Sequence, residues 1–394
     1  MSTGIGWTDE TWNFLLGCYW SSRGCDRCFA IRTANIRAHN PHPAIARAYE
    51  GLVARDADGR LDWTGEVRVL EERLTIPLRW RNPRRIFVNS MSDLFHPKVP
   101  TEVIARAYAV MALAVQHHFQ ILTKRERRMR SVLNSPAFRV AVERAMYALA
   151  ADETAPLTRD VRRRINAGEV DRVWPLPNVW VGVSVEDQKA ADRRIPVLLD
   201  TLAAVRWISA EPLLGPIDLR SVRYRDDVDY LLDPLHRRYR RFGQPAPDGP
   251  GASPFQVGLT HLHGLDWVVV GGETAPVQED DDGALVAPRP MHPDWVRSLR
   301  DQCIPAEVAF YFKQWGDVAP EHQVPPAAST SRSAPRAWLV ELDGTTRAVG
   351  PNAHKDVVTV QRVGVKAAGN TIDGQVIEQY PRQLAPAGSG GLGR

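Results

Sequence analysis

Residues 179–211 read VWVGVSVEDQKAADRRIPVLLDTLAAVRWISAE. Two short runs of β-branched and aromatic residues, Val179–Val185 and Arg206–Glu211, flank the segment Asp187–Leu202, whose apolar residues recur at helical intervals. A strand, a helix and a second strand in succession form the unit from which parallel sheets are built. These residues therefore predict an α/β fold with a parallel sheet.

The same alternation extends along most of the chain. Four more strand-like runs are present, at Ile86–Ser90, Phe119–Thr123, Trp267–Gly272 and Val308–Lys313. Helical spacing occurs in Thr101–Gln116 and again in Pro293–Gln302, which opens with a proline suited to a first helical turn. We expect a partial or complete parallel (β/α) barrel. A barrel of roughly 250 residues with insertions accounts for the 394 residues as well as two or three separate domains do.

The barrel is expected to span residues 1–318, with three insertions near residues 136–175, 221–262 and 276–290. The first is rich in arginine and is predicted to be helical. The second contains a Pro/Gly stretch and is predicted to be loop-like, and the third is acidic and is predicted to be an exposed hairpin or loop. Residues 319–394 are expected to form a linker and a small C-terminal extension, with a hairpin at Ala337–Ala348 and a disordered tail.

Composition and charge narrow the class of protein. Hydrophobic residues make up 44% of the chain and charged residues 24%, as in ordinary globular proteins. No apolar run reaches the ~18 residues that a membrane span needs, and Met1–Glu10 lacks the features of a secretion signal. We therefore expect a cytoplasmic protein with no membrane partner. The net charge of +4 permits an anionic partner such as nucleic acid without requiring one, and no pattern specifies an oligomeric state.

Polar residues gather where each predicted strand ends. The six ends are Ser90-Met91-Ser92-Asp93, Thr123-Lys124-Arg125, Ser184-Val185-Glu186, Ser209-Ala210-Glu211-Pro212, Gly271-Gly272-Glu273-Thr274 and Lys313-Gln314-Trp315-Gly316. Any one of them can be the cap of the helix that follows. Glutamate and lysine are poor caps, however, and the carboxyl ends of barrel strands converge on one face. Together they predict a shared polar site.

Three of the four cysteines, Cys18, Cys25 and Cys28, fall within eleven residues, which indicates a metal site rather than a disulfide scaffold. Thiolates suit zinc or an iron–sulfur cluster. Zinc needs a fourth ligand, for which His39 and His42 are the nearest histidines. A cluster held by three cysteines leaves one iron open for a cofactor or substrate. A cysteine group without metal is the third interpretation, and the lone Cys303 is expected to be a buried helix residue.

These motifs resemble those of the phage-type three-cysteine-motif family, found in phages and bacteria, whose function is unsettled. The likeness covers nearly the whole chain. It includes Gly17-Cys18, Gly24-Cys25-Asp26-Arg27-Cys28, Asn89-Ser90-Met91-Ser92-Asp93, Thr123-Lys124-Arg125, Ser184-Val185-Glu186, Ser209-Ala210-Glu211-Pro212, Gly271-Gly272-Glu273 and Lys313-Gln314-Trp315-Gly316. That family in turn resembles radical S-adenosylmethionine enzymes, with spore photoproduct lyase as a distant relative. Six residues separate the first two cysteines here, where three are usual in the radical enzymes.

The resemblance implies a radical-SAM-like barrel in the bacterial or host cytoplasm. The three cysteines would hold a [4Fe–4S] cluster, S-adenosylmethionine would chelate its fourth iron, and an electron donor would trigger hydrogen abstraction from a substrate. The candidate cofactor-binding residues are Ser90, Ser92, Asp93, Lys124, Ser184 and Glu186. The candidate catalytic residues are Glu211, Glu273 and Lys313, and the candidate substrate-binding residues are Gln314 and Trp315. Trp315 can equally belong to the core.

Two other functions fit the same residues. A nucleic-acid-binding phage protein, stabilised by zinc or a cluster and without catalysis, is favoured by the basic balance and the Arg/Tyr segment 237–242. A barrel that keeps its cluster for sensing or electron transfer is the other alternative. For the enzyme, a nucleobase or nucleic acid is the expected substrate, on the strength of the mild positive charge and the distant relative.

Overall fold

The structure is a computed structural model of the whole chain. It describes residues 4–57, 59–169, 173–224, 230–241, 263–274, 278–279, 285–286, 288–321, 337–348 and 357–382. The predicted Pro/Gly stretch at 245–254, most of the predicted linker and the predicted disordered tail lie outside these residues.

Seven parallel strands form the main sheet. They are β1 (Glu10–Trp12), β2 (Arg85–Val88), β3 (His118–Thr123), β4 (Val179–Ser184), β5 (Val205–Ala210), β6 (Trp267–Gly271) and β7 (Ala309–Gln314). Their order in the sheet is their order in the chain, and every neighbouring pair is parallel. The six predicted strands are confirmed, and β1 was not predicted because a run of three residues carries no periodic signal.

Nine helices are described. They are α1 (Phe29–Ala38), α2 (Pro43–Tyr49), α3 (Thr101–Leu113), α4 (Glu126–Leu133), α5 (Pro136–Ala151), α6 (Arg159–Asn166), α7 (Gln188–Leu199), α8 (Pro293–Cys303) and α9 (Val365–Ala368). The three predicted helices are confirmed as α3, α7 and α8, and the Arg-rich insertion is helical as predicted. In the described part of the chain, no helix combines the length and apolarity that crossing a bilayer requires.

Short antiparallel strands make up the rest. A four-stranded sheet combines Val318–Pro320, Val357–Arg362, Ala337–Glu341 and Thr346–Ala348. It contains the predicted hairpin, which turns through Asp343 and Gly344. The predicted loop-like insertion instead contains a three-stranded sheet of Val222–Arg223, Tyr230–Asp233 and Arg238–Arg241. Further two-residue to three-residue pairs join Leu15–Leu16 to Arg68–Val69, Val53–Arg55 to Leu61–Trp63, Gln278–Glu279 to Leu285–Val286, and Thr371–Ile372 to Gln375–Val376.

The seven-stranded sheet is curled around a lumen filled by aromatic rings. The ring of Trp7 lies 4.8 Å from that of Phe87 on β2 and 6.0 Å from that of Trp267 on β6. In a flat sheet these two strands would lie about 19 Å apart, so one residue can touch both only if the sheet curls. Alternate residues point inward, and these include Phe87, Trp180, Trp207, Trp267 and Tyr311. The result is a partial parallel barrel whose lower lumen excludes water.

Candidate functional site

A polar cavity lies at the carboxyl ends of the strands, above the aromatic lumen. Its volume is about 230 Å³. Its walls contain twelve of the fourteen predicted site residues. They are Cys18, Cys25, Cys28, Ser90, Ser92, Asp93, Lys124, Ser184, Glu211, Glu273, Lys313 and Gln314. The inward register explains this, because the alternation that places Trp180 and Trp207 in the lumen also places Ser184 and Glu211 at its upper end. The residues at the predicted strand ends therefore line one common cavity.

Two predicted site residues lie outside the cavity wall. The Glu186 carboxylate accepts a 2.7 Å hydrogen bond from Nη1 of the fully buried Arg194. Trp315 is 1% exposed, packs on Phe312 and donates its indole N–H to the carbonyl of Thr371 at 2.8 Å. The register between β6 and β7 shifts at Val270/Gly271, which reverses the alternation and turns Trp315 into the core.

Residues 17–28, the cysteine loop, cover the cavity. Gly17 bridges to Ser92 at the end of β2, and its backbone φ is +92°, which favours glycine. A Cβ at this position would lie 2.0 Å from the carbonyl oxygen of Glu66. Cys25 ends a single 3₁₀ turn, and Cys28 is the residue before α1. The loop therefore crosses the strand ends and brings all three thiols to the same cavity.

One side of the cysteine loop rests on Glu186 and Lys124. A Cβ on Gly24 would lie 3.5 Å from the Glu186 carboxylate and 3.5 Å from Cε of Lys124. Burial raises the pKa of Glu186, but the Arg194 guanidinium, the Ser22 hydroxyl and Lys124 together hold that pKa below its ordinary value. Glu186 is therefore an ionised, buried support under the loop.

The other side of the loop is held by Glu273, which is 5% exposed. Arg289 binds this carboxylate through its guanidinium and through its backbone N–H at 2.8 Å. The same guanidinium donates to Asp26 at 2.9 Å and to the carbonyl of Arg23 at 2.9 Å. Arg27 Nε lies 3.9 Å from the carboxylate. Sequence reasoning missed Arg289, because it follows the acidic insertion and belongs to no motif.

Glu211 and Lys313 form an ion pair on the cavity floor. The Lys313 ammonium lies 2.8 Å from Oε1 of Glu211. The other carboxylate oxygen accepts hydrogen bonds from the Trp7 indole at 3.0 Å and from the Ser209 hydroxyl at 3.2 Å. This pair joins the ends of β5 and β7 and brings both signs of charge to the cavity. Lys313 can donate a hydrogen bond to a bound molecule, and Glu211 can accept one from it.

The Asp93 carboxylate is occupied by hydrogen bonds within the protein. Its carboxylate accepts from the Thr123 hydroxyl at 2.7 Å, from the Phe95 backbone at 2.9 Å and from the Lys124 backbone at 3.0 Å. Arg125 lies 3.9 Å away. Asp93 therefore joins the ends of β2 and β3 and fixes the backbone from which Lys124 reaches the cavity.

Several buried polar atoms of the cavity wall have no hydrogen-bond partner among the residues that the structure describes. They are Nδ2 of Asn89, Oγ of Ser92 and Oε1 of Gln314. Asn89 is 2% exposed and has a backbone φ of 60°. Its Oδ1 accepts from the backbone of Leu15 at 3.1 Å. Buried polar groups are almost always hydrogen-bonded, so these atoms indicate a polar ligand or water. Asn89 was missed as a site residue although it lies in the quoted Asn89-Ser90-Met91-Ser92-Asp93 motif.

The three thiols are free, and each is partly buried. Burial is the main reason that the pKa of Cys18 is raised to about 12, although Arg125 opposes the shift, and burial also raises the pKa of Cys28. Neutral thiols are weak ligands until a cation displaces their protons. Within the described residues, no group of three or more His, Cys, Asp or Glu side chains stands close enough to hold a single metal ion. Cys303 is fully buried at the end of α8, as predicted.

The fold and the site together define a class of protein: a partial parallel (β/α) barrel with a polar cavity that is covered by a three-cysteine loop. The chain belongs to the family described as "Protein of unknown function (DUF5131)", whose model matches residues 2–381. No curated protein and no solved structure matches the chain.

Proposed function

We propose that this protein is an iron–sulfur enzyme of the radical S-adenosylmethionine type, related to the phage-type three-cysteine-motif proteins and working in the cytoplasm. The observation that carries the proposal is the meeting of Cys18, Cys25 and Cys28 in one polar cavity at the carboxyl ends of parallel strands. Barrel enzymes have their active sites at this end. Three soft ligands in one cavity suit a [4Fe–4S] cluster with one open iron.

A cluster fits this loop better than a single zinc ion. Zinc binds four ligands at about 2.0–2.3 Å, so its ligands lie close together around one point. The cysteines of a [4Fe–4S] cluster bind different irons and stand further apart. The described residues gather no group with single-ion geometry, while all three thiols line the same cavity. The proposal therefore takes the wider arrangement of a cluster.

The unpartnered polar atoms suit S-adenosylmethionine as the second cofactor. When bound to such a cluster, this molecule supplies hydrogen-atom abstraction through its reductive cleavage by an electron from a donor protein. Asn89 Nδ2 needs a hydrogen-bond acceptor, and Ser92 Oγ needs a donor or an acceptor. The amino-acid and ribose groups of S-adenosylmethionine offer both. Ser90, Lys124 and Ser184 line the same wall, and Lys124 places a positive charge where a carboxylate can bind.

The remaining residues of the cavity orient a substrate and exclude water. The aromatic lumen closes the floor, with Trp7 fixed by its hydrogen bond to Glu211. The Glu211–Lys313 pair presents an acceptor and a charged donor to whatever lies above it. Lys313 Nζ lies 2.8 Å from Oε1 of Glu211, so the polar edge of a substrate would meet a donor and an acceptor side by side.

Metal analysis of anaerobically purified protein tests the proposal. We expect a brown protein with about four irons and four sulfides per chain, and their loss on combined Cys18→Ala, Cys25→Ala and Cys28→Ala substitution. Cys303→Ala is the matched control and should keep the iron, because Cys303 is buried in α8 away from the cavity. A colourless protein with stoichiometric zinc would refute the cluster.

Cofactor use is tested separately. With dithionite and S-adenosylmethionine, the reconstituted protein should release methionine and 5′-deoxyadenosine, and Asn89→Ala should weaken binding of S-adenosylmethionine. Iron-loaded protein that neither binds nor cleaves S-adenosylmethionine would leave a cluster for sensing or electron transfer and would end the radical mechanism.

A further inference from the structure

The rim of the cavity carries exposed aromatic rings. Tyr19 is 38% exposed, Trp20 is 51% exposed and Phe29 is 50% exposed. Among the aromatic side chains whose exposure the structure describes, Tyr147 alone has comparable exposure. Three of these four aromatics lie within eleven residues of the chain, on and beside the cysteine loop. Such a concentration of apolar surface at the mouth of a cavity marks an interaction site.

These rings are held in position before any partner arrives. The Trp20 indole donates to Asp26 at 2.8 Å. Tyr19 packs edge-on against His96 with ring centroids 4.7 Å apart, and the Arg125 guanidinium lies 4.4 Å from the centre of its ring. The backbone of Phe29 is fixed by its place in the first turn of α1. Little side-chain ordering is needed when a flat ligand stacks on them.

Positive charge accompanies the rings. Residues 17–38 contain four arginines and one carboxylate. Arg23, Arg32 and Arg37 are exposed, and Arg32 lies one turn of helix after Phe29. Flat apolar rings interleaved with arginines are the arrangement that binds single-stranded nucleic acid, because bases stack on the rings and phosphates pair with the cations. A lipid surface needs a larger aliphatic face than these residues offer.

We propose that the rim formed by Tyr19, Trp20, Arg23, Phe29 and Arg32 binds single-stranded nucleic acid and delivers one base to the cavity. The reaction at the delivered base rests on the proposed function. The binding of single-stranded nucleic acid by the rim does not depend on it. Bases that flank the target stack on Trp20 and Phe29, and their phosphates lie near Arg23 and Arg32. The delivered base meets the Glu211–Lys313 pair and the Gln314 amide, whose donors and acceptors can read its edge.

Fluorescence anisotropy with labelled 12-nucleotide strands tests binding by the full chain. Trp20→Ala and Phe29→Ala should each weaken binding of single strands roughly 5- to 150-fold. Tyr147→Ala is the matched control, since Tyr147 is an exposed aromatic on α5, and it should bind like wild type. Arg32→Ala should reduce the slope of log K against log salt by about 0.7, whereas Arg139→Ala on α5 should not.

Separate arms with DNA and RNA strands identify which sugar is accepted, and a matched duplex should bind more weakly than either. Circular dichroism and iron content of each variant separate loss of binding from loss of fold or cluster. Equal affinity for duplex and single strand, or no effect of Trp20→Ala and Phe29→Ala, overturns the inference. Binding without iron would refute the radical enzyme alone, and iron without binding would refute this inference alone.

Discussion

Arg289 connects the cysteine loop to the barrel, and its removal should cost the protein stability. Its guanidinium binds Glu273, Asp26 and the carbonyl of Arg23. The Glu273 side chain is only 4% exposed, so Arg289→Ala leaves a carboxylate buried without its main partner. Breaking a buried ion pair from one side typically costs 3–5 kcal/mol. Arg27 at 3.9 Å and the Arg289 backbone N–H remain, so we expect a loss of about 2–3 kcal/mol.

Urea denaturation of the metal-free protein measures this loss, and thermal melts should show a decrease of about 2–4 °C, because a chain of this length unfolds with a large entropy change. Adding Glu273→Gln to Arg289→Ala removes the stranded charge and should recover at least about 1 kcal/mol. In the iron-loaded protein, Arg289→Ala should also speed the loss of iron to a chelator, since the loop is held from one side only.

Arg300→Ala is a matched control. Arg300 is a similarly buried arginine of α8, but its partners are Asp301 and Asp373, and none of these three residues lines the cavity. It should alter the rate of iron loss little. The reasoning about Arg289 is wrong if Arg289→Ala costs less than about 0.5 kcal/mol, or if the double variant is no more stable than the single one.

Three more predictions concern the lumen, the ion pair and pH. Gly182→Ala places a methyl 2.5 Å from the Trp207 indole and should cost about 1–3 kcal/mol in urea denaturation; a neutral effect would contradict the packing described. Lys313→Met should lower stability by about 1–3 kcal/mol, and Glu211→Gln in the same chain should restore part of it, as measured by thermal melts. Hydrogen bonds from two arginines lower the pKa of Asp373 to about 2, so its stabilising effect is full above the unfolded pKa of about 4 and disappears as pH falls towards 2. The stability difference between wild type and Asp373→Asn should therefore shrink between pH 5 and pH 2, and a difference that persists at pH 2 would contradict this.

The barrel could be predicted from sequence because its strands are encoded locally. Each of β2 to β7 is a short buried run, and the helices α3, α7 and α8 show apolar spacing that needs no tertiary information. The three-residue β1 has no such signal. The small sheet at residues 222–241 was predicted as a loop, since its Arg and Tyr residues do not alternate with apolar ones clearly enough to indicate strands.

The site could be predicted in part, because strand polarity brings the ends of β2 to β7 to one face. The contacts of each side chain there depend on where the cysteine loop crosses the strand ends. That path is set by the tertiary structure and has no local sequence signal. Asn89 and Arg289 illustrate this. Asn89 is defined as a site residue by an unpartnered amide in the cavity wall, and Arg289 by contacts with a loop far away in the chain.

The three glutamates at the strand ends show how many residues beyond a strand its inward–outward alternation still predicts the direction of a side chain. Glu211 directly follows β5 and keeps the inward register of Trp207 and Ser209, so it reaches the cavity floor. Glu186 and Glu273 lie two residues beyond the ends of β4 and β6, where the backbone has left the sheet. Their carboxylates bind Arg194 and Arg289 and support the cysteine loop from two sides. Alternation therefore brings Glu211 to the cavity floor, while the other two carboxylates support the cysteine loop. If the cavity holds the proposed cluster and ligand, exchanging Glu211 for Gln should affect ligand binding more than retention of iron.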